Sequence, residues 1–123
     1  MLIDSNILIY AGDPQYAFLR NFLATIDPVV SIISYIEVVG YHKFTDEQRQ
    51  HFEELFDSLP MIFVGQRIAE TSVKLRQQRK MTLGDSIIAA TAIVEKQILV
   101  TRNIDDFKWI AGLELLNPFE KIP

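Results

Sequence analysis

The sequence contains no cysteine, and that absence removes disulfides, thiolate zinc sites and cysteine nucleophiles from consideration. Any metal must then be held by oxygen or imidazole. Glycine is scarce. The five at Gly12, Gly40, Gly65, Gly84 and Gly112 cannot write either glycine-rich phosphate-binding fingerprint, which argues against ATP and dinucleotides as ligands. No apolar run approaches the roughly 18 residues of a membrane span. The stretch from Val29 to Tyr41 carries Glu37, and Ile87 to Val94 is too short, so a soluble protein with no membrane partner is expected. The start, Met1-Leu-Ile-Asp4, has neither a basic leader region nor a cleavage site, and the expected location is the cytoplasm. Excess positive charge is missing as well: 12 Lys and Arg against 16 Asp and Glu leave a net charge of −4, too acidic to hold nucleic acid by bulk electrostatics alone. Histidine is limited to His42 and His51, in helix-like segments with no nucleophile motif beside them, and both read as structural.

What remains is a chain of 123 residues, 49% apolar and 23% charged, which fits one domain over residues 1–123 with an ordinary core. Short apolar runs at Met1–Ile3, Val29–Ile33, Met61–Val64, Ile98–Val100 and Leu113–Leu116 read as strands. Segments with helical periodicity lie between them. Phe18, Leu19, Phe22 and Leu23 form one apolar stripe, and Phe52, Leu55, Phe56 and Leu59 another. Ser34-Tyr-Ile-Glu37 and Thr82-Leu-Gly-Asp85 both match the capping-box pattern that opens a helix, and Thr45 opens a third. The helix from Gln66 to Lys80 is basic, with Arg67, Lys74, Arg76, Arg79 and Lys80 against Glu70, whereas Asp46 to Asp57 is acidic. The end, Asn117 to Pro123, reads as a frayed terminus. Strands that alternate with helices predict an α/β fold, a three-layer α/β/α sandwich around a parallel sheet of four to five strands.

In such a fold the helices that follow the strands begin at the carboxyl edge of the sheet. That rule sends Asp4, Glu37, Asp85 and the segment from Asn103 to Asp106 to one edge. Each also fits a helix N-cap, worth about 0.5–2 kcal/mol. Capping does not require them to share an edge, however, and a ligand site does. Two carboxylates about 4 Å apart repel by roughly 4 kcal/mol at an effective dielectric near 20. A divalent cation relieves that repulsion, and an all-oxygen set suits Mg²⁺ or Mn²⁺. Such an ion acts naturally on a phosphodiester, whose oxygen it polarises.

The segments Leu2-Ile-Asp-Ser-Asn6, Ser34-Tyr-Ile-Glu37, Gly84-Asp-Ser-Ile-Ile-Ala-Ala-Thr-Ala92 and Leu99-Val-Thr-Arg-Asn-Ile-Asp-Asp-Phe107, followed by Gly112-Leu-Glu-Leu-Leu-Asn-Pro118, together resemble the PIN-domain family of metal-dependent ribonucleases. The VapC-type toxins of toxin-antitoxin pairs are the branch they resemble most. The resemblance implies that Asp4, Glu37 and Asp85 are catalytic, metal-binding acids, with Asn6 and Thr101 as polar supports. Asn103 stands where many members have a fourth acid, so a second ion would depend on Asp106, and either one or two Mg²⁺ or Mn²⁺ ions are expected. It further implies hydrolysis of RNA, a homodimer, and a cognate antitoxin that inhibits the site. Arg102, Arg76, Arg79 and Lys80 are the candidates for seating RNA. Expected dimer contacts lie near Phe52–Leu59 or Ile36–Phe44. Two other readings stand beside this one. A PIN-like module could bind RNA or protein without cutting. A phosphorylation-receiver domain would need an acceptor aspartate after the third strand, where Phe63-Val64-Gly65 stands instead.

Overall fold

A computed structural model describes residues 1–120. Its elements alternate as the sequence pattern predicts: β1 (Leu2–Ile3), α1 (Ser5–Ala11), a 3-10 turn at Pro14–Tyr16, α2 (Ala17–Ala24), β2 (Val30–Ser31), α3 (Ile32–Val39), α4 (Asp46–Asp57), β3 (Met61–Ile62), α5 (Gln66–Gln78), α6 (Leu83–Val94), β4 (Leu99–Val100), α7 (Ile104–Phe107) and β5 (Leu115–Leu116). β1 pairs in parallel with β4, β4 with β5, and β2 with β3. The two sets join where Leu2 bridges Val29, with the Ile3 amide donating to the Val29 carbonyl at 3.0 Å and the Val29 amide to the Met1 carbonyl at 2.9 Å. The described strands therefore run in the order β3-β2-β1-β4-β5, all parallel. β1 and β4 flank the point where the order reverses, which is where open α/β sheets take their ligands.

Alternation along each strand divides the core into two layers. Leu2 and Leu99 face one side, against Ile68, Leu75, Ile88, Phe107 and the alanines of α6. Ile3, Val30 and Val100 face the other, against Ile7, Leu8, Leu19, Val38, Phe52 and Phe56. The helix α6 is buried on most of its surface, as its nearly unbroken apolar sequence predicts. α4 starts at Thr45 with a full capping box to Gln48, and α6 starts at Thr82, whose hydroxyl accepts from the Asp85 amide. Among the described residues, no helix is long and apolar enough to cross a membrane.

Several expectations are corrected. The second strand is shorter than Val29–Ile33, because the Ser31 hydroxyl accepts from the Ile33 amide and starts α3 there. Ser34 is thus no cap but a buried residue inside α3, and Glu37 lies well into the helix rather than in its first turn. Burial of Ser34 and Val38 against neighbouring helices outweighs the strand preference of the β-branched run. The third strand likewise ends at Ile62, leaving Phe63 and Val64 exposed. The chain end is not frayed through Glu120: Pro118 is buried, the Phe119 amide donates to Asn117 Oδ1 at 3.0 Å, and the Phe119 ring packs on Tyr10, Tyr16 and Phe18. Residues 121–123 of that terminus lie outside the described residues.

Candidate active site

Asp4 follows β1 directly, and its backbone amide continues the sheet by donating to the Val100 carbonyl at 2.9 Å. The residue is only 6% exposed. Oδ1 accepts from the Ser5 amide at 2.8 Å and so caps α1; Oδ2 accepts from the Thr101 hydroxyl at 2.8 Å and from Asn6 Nδ2 at 3.4 Å. Thr101 is fully buried just past β4, and its Oγ1 also accepts from the Asn103 amide at 3.0 Å. One hydroxyl therefore fixes both the central carboxylate and the turn into α7. Asn6 and Thr101, expected as polar supports, both hydrogen-bond the Asp4 carboxylate.

Glu37 reaches the same place from α3, which packs against α1 and α6. Ser5 Oγ lies 2.9 Å from Ser34 Oγ and 3.0 Å from Glu37 Oε1. With a single proton, Ser5 can donate to the carboxylate and accept from the buried Ser34 hydroxyl. Glu37 also lies over Gly84: a Cβ built there would stand 2.8 Å from Oε2. Asp85 is half-buried in the first turn of α6, and Asp106 is exposed in the first turn of α7.

The acids influence one another electrostatically. Burial pushes the Asp4 carboxyl up to about 6, the Thr101 and Ser5 hydrogen bonds oppose the rise, and the Asp85 and Glu37 charges add to it. Burial also raises Asp85, with Asp106 adding and Thr82 opposing. Glu37, Asp4, Asp85 and Asp106 thus form one connected acidic set. Asp105 stands apart from it, since Lys108 at 2.8 Å holds its carboxyl below the usual range. The ion pairs among the described residues are Asp46–Arg49 and Asp105–Lys108, so neither Asp4 nor Asp85 has a protein cation as counter-charge.

Among the described residues, no three Asp, Glu or His side chains close into a coordination cluster. The donor set still fits a hard, hydrated divalent ion. Mg²⁺ retains several waters and needs only one or two carboxylates directly. Asn6 Oδ1 is buried without a partner, which leaves a polar atom beside Asp4 for water or an ion to satisfy. Asn103 is exposed and its side chain does not cap α7, so its amide oxygen is available as a neutral ligand.

The basic candidates fall into two groups. Arg102 leans on the Tyr10 and Phe119 rings, 5.0 and 4.1 Å from their centroids, at a cleft of about 410 Å³. Arg79 lies 5.5 Å over Trp109 and shares a cleft of about 200 Å³ with Lys80 and Asp85. Arg76 is exposed in the last turn of α5. A further cleft of about 510 Å³ lies elsewhere, between the end of α1 and α4, and His51 lines it. Sequence reasoning missed the roles of Ser5, Ser34, Gly84 and Phe119. No local signal marked them, because their partners come from other segments.

The PIN domain, as a family, matches residues 1–113. The chain belongs to the PIN-domain family. PIN-domain proteins are nucleases that generally use divalent metal ions, and the assignment excludes a receiver domain. Among solved structures, a toxin-antitoxin complex from Klebsiella pneumoniae is 35% identical to this PIN domain with a TM-score of 0.75, covering 95% of this chain and 96% of that one. VapBC2 from Rickettsia felis, bound to a DNA fragment from its promoter, is 26% identical with a TM-score of 0.79, covering 94% and 96%. DNA-bound VapBC from Salmonella typhimurium, 18% identical with a TM-score of 0.83 over 94% and 95%, shares the fold. This PIN domain is thus similar to VapC-type toxins. No curated protein matches the sequence.

Proposed function

We propose that this PIN domain is a metal-dependent endoribonuclease, the toxin of a toxin-antitoxin pair, acting in the cytoplasm as a homodimer. The observation that carries the reading is the set of uncompensated acids around Asp4 at the sheet's reversal point, which electrostatics alone would drive apart. Asp4, Glu37 and Asp85 would hold one Mg²⁺ or Mn²⁺, and Asn103 with Asp106 a second. When bound, a divalent cation there supplies Lewis-acid polarisation of a phosphoryl oxygen and lowers the pKa of the attacking water. The chain's own residues prepare for this. Thr101 and the Ser5 amide orient Asp4, Ser5 and Gly84 position Glu37, and Thr82 fixes the backbone under Asp85. Arg102, Arg79, Lys80 and Arg76 would seat the RNA. The toxin-antitoxin neighbours support a protein inhibitor as the natural partner.

The test is cleavage of a mixed panel of structured and single-stranded RNAs in Mn²⁺, Mg²⁺ or EDTA. Cleavage is expected with either metal, none in EDTA, and a loss of at least about a hundred-fold in Asp4→Asn and Asp85→Asn. Activity that survives EDTA and both substitutions would refute the reading.

A further inference from the structure

The two clefts that hold Arg102 and Arg79 meet at Asp105 and Asp106, in the first turn of α7. Each arginine is held in the same way. Arg102 rests on Phe119 and Tyr10, and Phe119 is itself locked edge-on among Tyr10, Tyr16 and Phe18. Arg79 rests on Trp109, whose indole N–H donates to the Asp106 carbonyl at 3.0 Å. Among the described residues, neither guanidinium makes an ion pair; aromatic faces hold them instead. This difference has a chemical consequence. A carboxylate partner would hold an arginine but neutralise it, whereas an aromatic face holds the guanidinium and leaves its N–H groups free for an anion.

Resting on the ribonuclease reading above, we propose that Arg102 and Arg79 are two pre-positioned phosphate seats on either side of α7, between which a single RNA strand crosses the acidic set. The planar fork matches a phosphate bidentately, as a lysine cannot. Aromatic surface beside each seat accepts unpaired bases. Asp106, shared by both clefts, and Asp85, which lines the Arg79 cleft, repel a strand until a cation offsets them, so strong seats are needed outside the acidic zone and not within it. Phe119 and Tyr10 are positioning residues that act through Arg102. Among the described residues after Leu116, Phe119 thereby has a role in the site.

The experiment is fluorescence anisotropy of a short, labelled single-stranded RNA of mixed sequence, titrated with the full chain in EDTA across a salt series. Each seat removed releases fewer counterions, so Arg102→Ala and Arg79→Ala should each flatten the slope of log affinity against log salt by about 0.7, and the double variant by about twice that. Each should weaken binding about ten-fold at low salt. Arg102→Lys should keep the slope while losing affinity, because charge remains and the fork is lost. Phe119→Leu, which keeps an apolar side chain but removes the flat face, should also lose affinity at an unchanged slope. Thermal melts of every variant separate these effects from misfolding. A wild-type slope in both alanine variants would overturn the proposal, as would alanine variants that keep RNA binding and lose binding of polyglutamate, the outcome for seats built for an acidic protein. Predicted slopes without cleavage in Mn²⁺ would support the seats and refute the ribonuclease reading, so the two failures are distinguishable.

Discussion

The carboxyl group of a residue that is only 6% exposed and surrounded by other acids keeps its proton to higher pH than one in water, and for Asp4 the shift is from 3.8 to about 6. The direction sets a stability consequence. Between those two values the folded chain binds more protons than the unfolded chain, so stability falls as pH rises through the window. The contribution present below the unfolded value is lost above about 6, on the order of 3 kcal/mol for a shift of this size. In metal-free protein the Tm difference between Asp4→Asn and wild type should therefore grow in favour of the variant from about pH 4 to about pH 7. A difference that stays flat over this range would show that Asp4 is not strained by its surroundings. Gly84 makes a second residue-level prediction. A methyl group there displaces the Glu37 carboxylate while leaving the first turn of α6 intact, so Gly84→Ala should keep or slightly raise Tm and lower RNA cleavage about ten-fold or more. Undiminished cleavage would mean that Glu37 can act from another position. Neither effect was legible in the sequence. Asp4 and Asp85 could be read from their places after a strand and at a cap, but the contact of Gly84 with Glu37 joins segments far apart in the chain.

At the scale of elements, caps were the most readable feature and β-branched runs the least. Thr45 with Gln48 and Thr82 with Asp85 use short-range hydrogen bonds whose partners sit three residues apart, and both helices begin where those patterns stand. The run Val29–Ile33 reads as a strand because isoleucine and valine favour one, yet α3 begins inside it at Ile32. Tertiary burial decided that boundary. Ser31 and Ser34 are both fully buried, and their partners distinguish them: the Ser31 hydroxyl accepts from the Ile33 amide and caps α3, whereas the Ser34 hydroxyl meets Ser5. Ser31→Ala should remove the cap and lower stability by about 1 kcal/mol, a fall in Tm of about 4 °C, whereas removing the Ser34 hydroxyl should leave the start of α3 unaffected. Equal Tm for Ser31→Ala and wild type would argue that the cap bond contributes nothing.

The whole molecule explains why the site lies where it does. Strand order β3-β2-β1-β4-β5 makes β1 and β4 neighbours at the reversal, so Asp4 and Thr101 meet although they are at opposite ends of the chain. The fold class followed from strand-helix alternation, but the place of Glu37 did not, because it lies well into α3 and not at its start; nor did strand order, because two-residue strands carry almost no pairing information. The surface also refines the expected dimer. Of the two expected faces, Phe52 and Phe56 are buried in their own core, whereas Ile36 is 57% exposed and Tyr35 and Tyr41 are exposed as well, so we propose the Ile36–Phe44 face for contact with a second copy. Light scattering should give a dimeric mass that Ile36→Glu reduces to a monomer; a wild-type monomer at micromolar concentration would remove the dimer from the account.

The central claim is that Asp4, Glu37 and Asp85 together hold a divalent cation, and calorimetric titration of Mn²⁺ tests it most directly. Wild type should bind one or two ions at neutral pH. Asp4→Asn, Glu37→Gln and Asp85→Asn should each weaken the tighter site by at least about ten-fold while remaining folded. Near pH 6, binding to wild type should release protons as Asp4 ionises, and binding to Asp4→Asn should release fewer. Absence of binding to wild type, or equal affinity in all three variants, would contradict the account.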